Sequence, residues 1–118
     1  MRKAEPASAA RFGRLEEKGA APVRGERHVR LAGAGEVEVE EILSGAVETP
    51  VEFRSDDESE WVVVLEGRAV LAAGGSTREL VSGDWVELPA GLSHRLEHVE
   101  PGTRWLAVRW RARPERRG

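Results

Sequence analysis

From His28 to Trp110 the sequence breaks into short runs rich in Val, Leu and Trp, separated by Gly, Pro, Asp and Ser. Turn signals recurring at roughly 8 to 12 residues mark a sandwich or barrel of short strands, so an all-β domain is expected. Glu36 to Leu43 begins with strict alternation, which predicts a half-exposed strand with Val37 and Val39 inward and the glutamates in water. Trp61 to Leu65 is apolar on both faces and reads as a central strand. Gly67 to Ala73 and Ser76 to Val81 flank Gly74-Gly75, and that pair supplies the positive φ a tight hairpin turn demands. Trp85 to Leu88, Ser93 to Val99 and Arg104 to Trp110 complete the strands, with Pro89-Ala90-Gly91 and Pro101-Gly102 as turns.

A chain of 118 residues is the size of one domain and buries about two-thirds of its unfolded surface without a staple. Cysteine is absent, which excludes a disulfide framework, a thiolate zinc site, an iron–sulfur ligand set and a thiol nucleophile. No run reaches the ~18 apolar residues of a membrane helix, and Met1-Arg2-Lys3 leads into no apolar signal core, so a soluble, cytoplasmic protein without a membrane partner is expected. The formal net charge is −3, with basic ends and an acidic middle. The basic residues fall in segments with little apolar periodicity, which predicts a flexible tail over 1–26, a barrel domain over 27–110 and a basic tail over 111–118. Phe12 and Leu15 offer at most one helical turn that docks on a neighbour. A nucleic-acid partner is not expected on these tails alone. The nucleophile-elbow and phosphate-loop templates are missing, and Gly33 and Gly35 are turn residues.

Residues Gly83 to His94 spell G-D-x4-P-A-G-x2-H. This segment resembles the second motif of the cupin superfamily, G-x5-P-x-G-x2-H-x3-N, with Gly83, Pro89, Gly91 and His94 at every interval and His98 where the family often has Asn. The first motif is matched only by Glu60 and Gly67; with the three-residue spacer, Arg54 and Asp56 stand in place of its histidines, and Glu48 in place of its leading Gly. The chain thus looks like the short, single-domain bacterial cupins with a degenerate first motif. The resemblance implies a small antiparallel jelly-roll β-barrel, paired into a homodimer through its faces.

In strands, side chains of equal parity share a face, so Glu60, Val62 and Val64 point together, as do His94, Leu96 and His98. If Glu60 and His94 face inward, they meet near one end of the barrel. Two readings of His94 stand side by side. In one it ligates a divalent metal (Mn, Fe, Ni or Zn) with Glu60 and Asp56, and with His98 within reach. In the other it is a barrel residue bonded to Glu60 with no metal. Arg54 favours the second, since an inward guanidinium repels a divalent ion by about 4 kcal/mol per pair of unit charges at ~4 Å. The run Asp56-Asp57-Glu58-Ser59-Glu60 offers carboxylates for a cation at the barrel mouth, but it lacks the glycine and spacing of a calcium loop and reads as a solvated loop. His28 has no constellation around it and is assigned no role. Trp61, Trp85, Trp105 and Trp110 are expected in the core or a dimer seam, and an outward Trp85 favours a subunit contact.

These features converge on a barrel that binds a small molecule, an anion if Arg54 clamps it, with Glu60 and His94 as the acid–base pair and Arg54 and His98 as ligand contacts. For such a site the resemblance allows proton-transfer, isomerase or oxygenase-type chemistry. The alternative from another class is a non-catalytic ligand sensor or interaction module with a metal-free barrel.

Overall fold

The computed structural model describes residues 10–111. The basic segment expected over 111–118 therefore lies outside the described residues apart from Arg111, as do positions 1–9 of the expected N-terminal tail. Nine strands follow one another: β1 (Glu26–Ala34), β2 (Val37–Ser44), β3 (Val51–Phe53), β4 (Glu58–Glu66), β5 (Arg68–Ala73), β6 (Ser76–Val81), β7 (Trp85–Leu88), β8 (His94–Val99) and β9 (Thr103–Arg111). They form a five-stranded sheet in the order β1-β2-β9-β4-β7 and a four-stranded sheet in the order β3-β8-β5-β6, with antiparallel pairing throughout. Two antiparallel sheets joined by such crossovers make the jelly roll. No helix among the described residues is long and apolar enough to cross a membrane.

Local sequence explains the strand ends. Gly74 and Gly75 have φ of 57° and 82°, the left-handed pair that a two-residue hairpin between β5 and β6 requires. The apolar run Trp61 to Leu65 lies in β4, between β9 and β7, as its two apolar faces predict. The core forms where the sheets face each other: Ile42, Val62, Val64, Trp105 and Ala107 from one, Ala69, Leu71, Leu80, Leu96 and Val99 from the other. Removing such side chains from water contributes about 25 cal/mol per Å² of apolar area.

Strand β2 reverses its expected facing. Its register with β9 sets Ile42 opposite Trp105, so Glu38 and Glu40 share the inner parity with Ile42, and Val37, Val39, Glu41 and Leu43 take the outer face. Alternation defines two faces but does not say which is covered. Here the outer face is covered in part: Glu41 and Leu43 are both 0% exposed. The backbone N–H of Glu16 donates to Glu41 Oε1 at 2.9 Å, and Glu16 pairs with Arg27 at 2.8 Å. Residues 22–25 run beside the end of β2, where Gly45 N–H donates to Gly25 O and Ala46 N–H to Val23 O. A Cβ on Gly45 would lie 2.0 Å from Pro22 O, so only glycine admits this crossing. The described part of the expected free tail is therefore tied to the sheet through these bonds.

Candidate functional site

The facing sheets leave a cavity of about 310 Å³, at the small end of the range for ligand pockets. Its walls include Ile42, Val62, Leu71, Leu88, Leu96 and Trp105, and its ionisable groups are Glu26, His28, Arg54, Glu60, His94 and Arg109. Glu60 comes from β4, opposite Leu88 of β7 and Arg109 of β9. His94 opens β8, opposite Phe53 of β3, and the two rings stack with centroids 5.6 Å apart and planes 21° apart. Nδ1 of His94 lies 3.5 Å from the Leu92 carbonyl oxygen, a loose bond that leaves the other ring nitrogen without a partner among the described residues.

A chain of polar contacts lines the concave side of the five-stranded sheet. Trp105 Nε1–H donates to Ser44 Oγ at 3.0 Å, and Ser44 Oγ–H donates to Glu26 Oε2 at 2.8 Å. His28 sits between two carboxylates, with Nδ1 at 2.7 Å from Glu40 Oε1 and Nε2 at 3.6 Å from Glu26 Oε1. Glu40 also accepts from Arg109, whose other terminal nitrogen is 3.2 Å from Glu60 Oε2. Burial pushes the Glu40 carboxyl up, but the hydrogen bonds from His28 and Arg109 and the charge on Arg109 outweigh it and hold it below the ordinary value. Burial lowers Arg109 in turn, and the bond to Glu40 with the charges of Glu60, Glu40 and Glu58 more than offsets that, so it is raised.

A family model for the cupin domain matches residues 38–109. The chain belongs to the cupin superfamily. Among solved structures, a Ralstonia eutropha JMP134 protein named as a candidate mannose-6-phosphate isomerase superposes on this cupin with a TM-score of 0.70 at 29% identity, over 85% of this chain and 100% of that one. KdgF from a Halomonas species gives 0.66 at 16% identity, over 75% of this chain and 81% of that one. A cupin protein from Bacteroides fragilis gives 0.60 at 16% identity, over 89% and 86%. At 16% identity the last two attest the fold alone. No curated protein matches the chain.

The cupin fold brings some of the sequence candidates together and separates others. Arg54, Glu60 and His94 line the same cavity. Asp56 is exposed and accepts from Arg54 Nε at 2.9 Å. His98 is exposed: β8 pairs Leu71 with Leu96 but Val70 with His98, and the extra residue, Glu97, shifts the parity that had aligned His98 with His94. The family implies a divalent metal, yet among the described residues no three His, Asp or Glu side chains gather into a set that holds one. Asp56 is bound to Arg54 and Glu60 to Arg109, so the expected trio of Asp56, Glu60 and His94 does not fit the ion.

Sequence reasoning passed over Glu26, His28, Glu40 and Arg109 in this cupin. The available signal was parity: Arg109 shares a strand face with the core residues Trp105 and Ala107, and a cation there requires a buried partner. A second cleft, of about 390 Å³, opens between edge strands β6 and β7. Its Glu79 is bound to Arg68 and its Asp84 caps Val81 N–H at 2.9 Å, and it holds no imidazole, whereas the smaller cavity is lined by two.

Proposed function

We propose that this cupin binds a small anionic molecule in the barrel cavity and moves a proton within it, as an isomerase does. The observation that supports the reading is that Arg54, Glu60 and His94, drawn from separate segments, line one apolar-walled cavity. Asp56 takes the Nε–H of Arg54, which leaves the terminal guanidinium nitrogens for a carboxylate or phosphate. His94 then serves as the acid–base group, with the Glu60 carboxylate on the facing wall. The Ralstonia protein's name adds a chemical class: a sugar phosphate is a small anion with an acidic C–H beside its carbonyl, and its isomerisation is a proton transfer.

Mannose 6-phosphate is accordingly the first probe. NMR of the protein should show Arg54 and His94 perturbed on its addition, with the affinity falling at least tenfold in Arg54→Ala. Deuterium from D2O should enter the sugar beside its carbonyl, and His94→Ala should slow that exchange by about 10²-fold or more. Undiminished exchange in His94→Ala refutes the assignment. A second reading, binding without turnover, draws support from the 3.2 Å contact that commits Glu60 to Arg109; it predicts perturbed Arg54 and His94 with no deuterium uptake. The proposal includes a homodimer through the outer face of the five-stranded sheet, where Trp85 is 59% exposed and stands 6.0 Å from Trp61.

A further inference from the structure

We infer that His28, oriented by Glu40, is a second acid–base group of the cavity, so that one imidazole acts from each sheet: His28 from the five-stranded wall and His94 from the four-stranded one. The inference rests on the cavity being a proton-transfer site. His28 pairs with Ile42 across β1 and β2, which gives it the inner parity of the core, and it lines the same cavity as His94. The buried Glu40, 6% exposed, accepts from Arg109 as well as from the ring. An ionised carboxylate only accepts hydrogen bonds, so the Nδ1 of His28 must carry the hydrogen and a neutral ring presents a lone pair at Nε2.

That nitrogen is not capped. Its neighbour Glu26 stands 3.6 Å away, beyond a hydrogen bond, and the second oxygen of Glu26 is held by Ser44. The ring is thus anchored on one side and open on the other, the arrangement of a base whose orientation is set by a carboxylate. The charged groups around it are Glu40 at Nδ1, Glu26 beside Nε2, and Arg109 behind Glu40 with Glu60 on its far side. The positive charge His28 acquires on taking a proton is therefore met by carboxylates at both nitrogens.

For a sugar phosphate the step balances without an added reactant. His28 Nε2 takes the proton from the carbon beside the carbonyl, the C–H electron pair forms the enediol double bond, and protonated His94 donates a proton to the carbonyl oxygen. His28 then returns its proton to the former carbonyl carbon while His94 recovers one from the hydroxyl on the carbon that lost its hydrogen, where the new carbonyl forms, leaving the isomer. In this scheme His28 is catalytic and Glu40 is a positioning residue.

The test uses the full chain, mannose 6-phosphate and D2O. His28→Gln should bind the sugar phosphate within about threefold of the unaltered protein while deuterium uptake falls by about 10²-fold or more. Glu40→Gln should slow uptake and displace the pH profile of the rate, which loss of packing alone would not do. On the unaltered chain, nitrogen NMR should find the neutral His28 ring protonated at Nδ1; a ring protonated at Nε2 overturns the inference however the variants fold. Uptake that survives His28→Gln overturns the inference while leaving the cavity's function standing. An unaltered protein that neither binds mannose 6-phosphate nor exchanges its proton overturns the isomerase reading and this inference with it.

Discussion

Replacing Glu40 with alanine tests whether the polar chain on the concave sheet is as tightly coupled as its distances imply. The carboxylate is 6% exposed and accepts from both His28 and Arg109. A hydrogen bond to a charged group contributes about 1.5–3 kcal/mol, and removing one member of a buried pair costs about 3–5 kcal/mol when its partner is stranded. Neither partner is fully stranded here. Arg109 keeps Glu60 at 3.2 Å, and His28 is half exposed and can rehydrate as a neutral ring. The loss should fall at the low end, about 2–3 kcal/mol, which lowers Tm by roughly 8–12 °C in a domain of this size. Urea unfolding near neutral pH measures it. The pH dependence has a definite sign. Because the folded Glu40 carboxyl lies below its ordinary 4.5, its contribution is complete above that value and fades as pH falls toward the folded one. The stability gap between the unaltered protein and Glu40→Ala should therefore narrow in acid. A loss under about 0.5 kcal/mol at neutral pH, or a gap that widens on acidification, refutes the coupling.

On the outer face, Glu41 is 0% exposed with Oε2 unpartnered and 3.6 Å from Arg104, which also holds Glu66 at 3.1 Å. Glu41→Ala should cost about 2 kcal/mol in denaturant unfolding, whereas Glu41→Leu with Arg104→Met should be neutral or stabilising, because the pair's desolvation is removed with it. Trp85→Ser should convert a dimer to a monomer in sedimentation velocity with little change in the unfolding of the monomer, since the ring is largely exposed; an unaltered protein that sediments as a monomer refutes the seam.

Turn chemistry made much of the fold legible. Gly74-Gly75 fixed the β5–β6 hairpin, and the spacing from Gly83 to His94 carried the cupin resemblance. Sidedness was not legible in β2. Both faces of Glu40-Glu41-Ile42-Leu43 end up buried, one in the barrel and one under a face that Glu16 reaches from far along the chain, and alternation cannot signal a cover that distant. The bulge at Glu97 is likewise a tertiary choice, and it is what moved His98 to the surface. The candidate site was half visible. Family spacing drew out Glu60 and His94, but His28 and Glu40 belong to no motif, and only the pairing of β1 with β2 and of β2 with β9 brings His28, Glu40 and Arg109 side by side.

The placement of these charges carries a further physical implication. Buried ion pairs replaced by apolar residues of similar volume often leave a protein as stable or more so, so a barrel core does not require Glu40, Arg109 and Glu60 for its stability. What a fully bonded polar chain does supply is fixed orientation, because each member has one low-energy arrangement in a medium of low dielectric. Trp105 anchors Ser44 and Ser44 anchors Glu26, while Arg109 anchors Glu40 and Glu40 anchors His28. Both branches end on side chains that line the cavity, Glu26 and His28, across from the sheet that carries Leu71, Leu96 and His94. The anchoring is thus concentrated where a ligand would meet it, and it ends on the imidazole of His28, held at 2.7 Å on one nitrogen and open on the other.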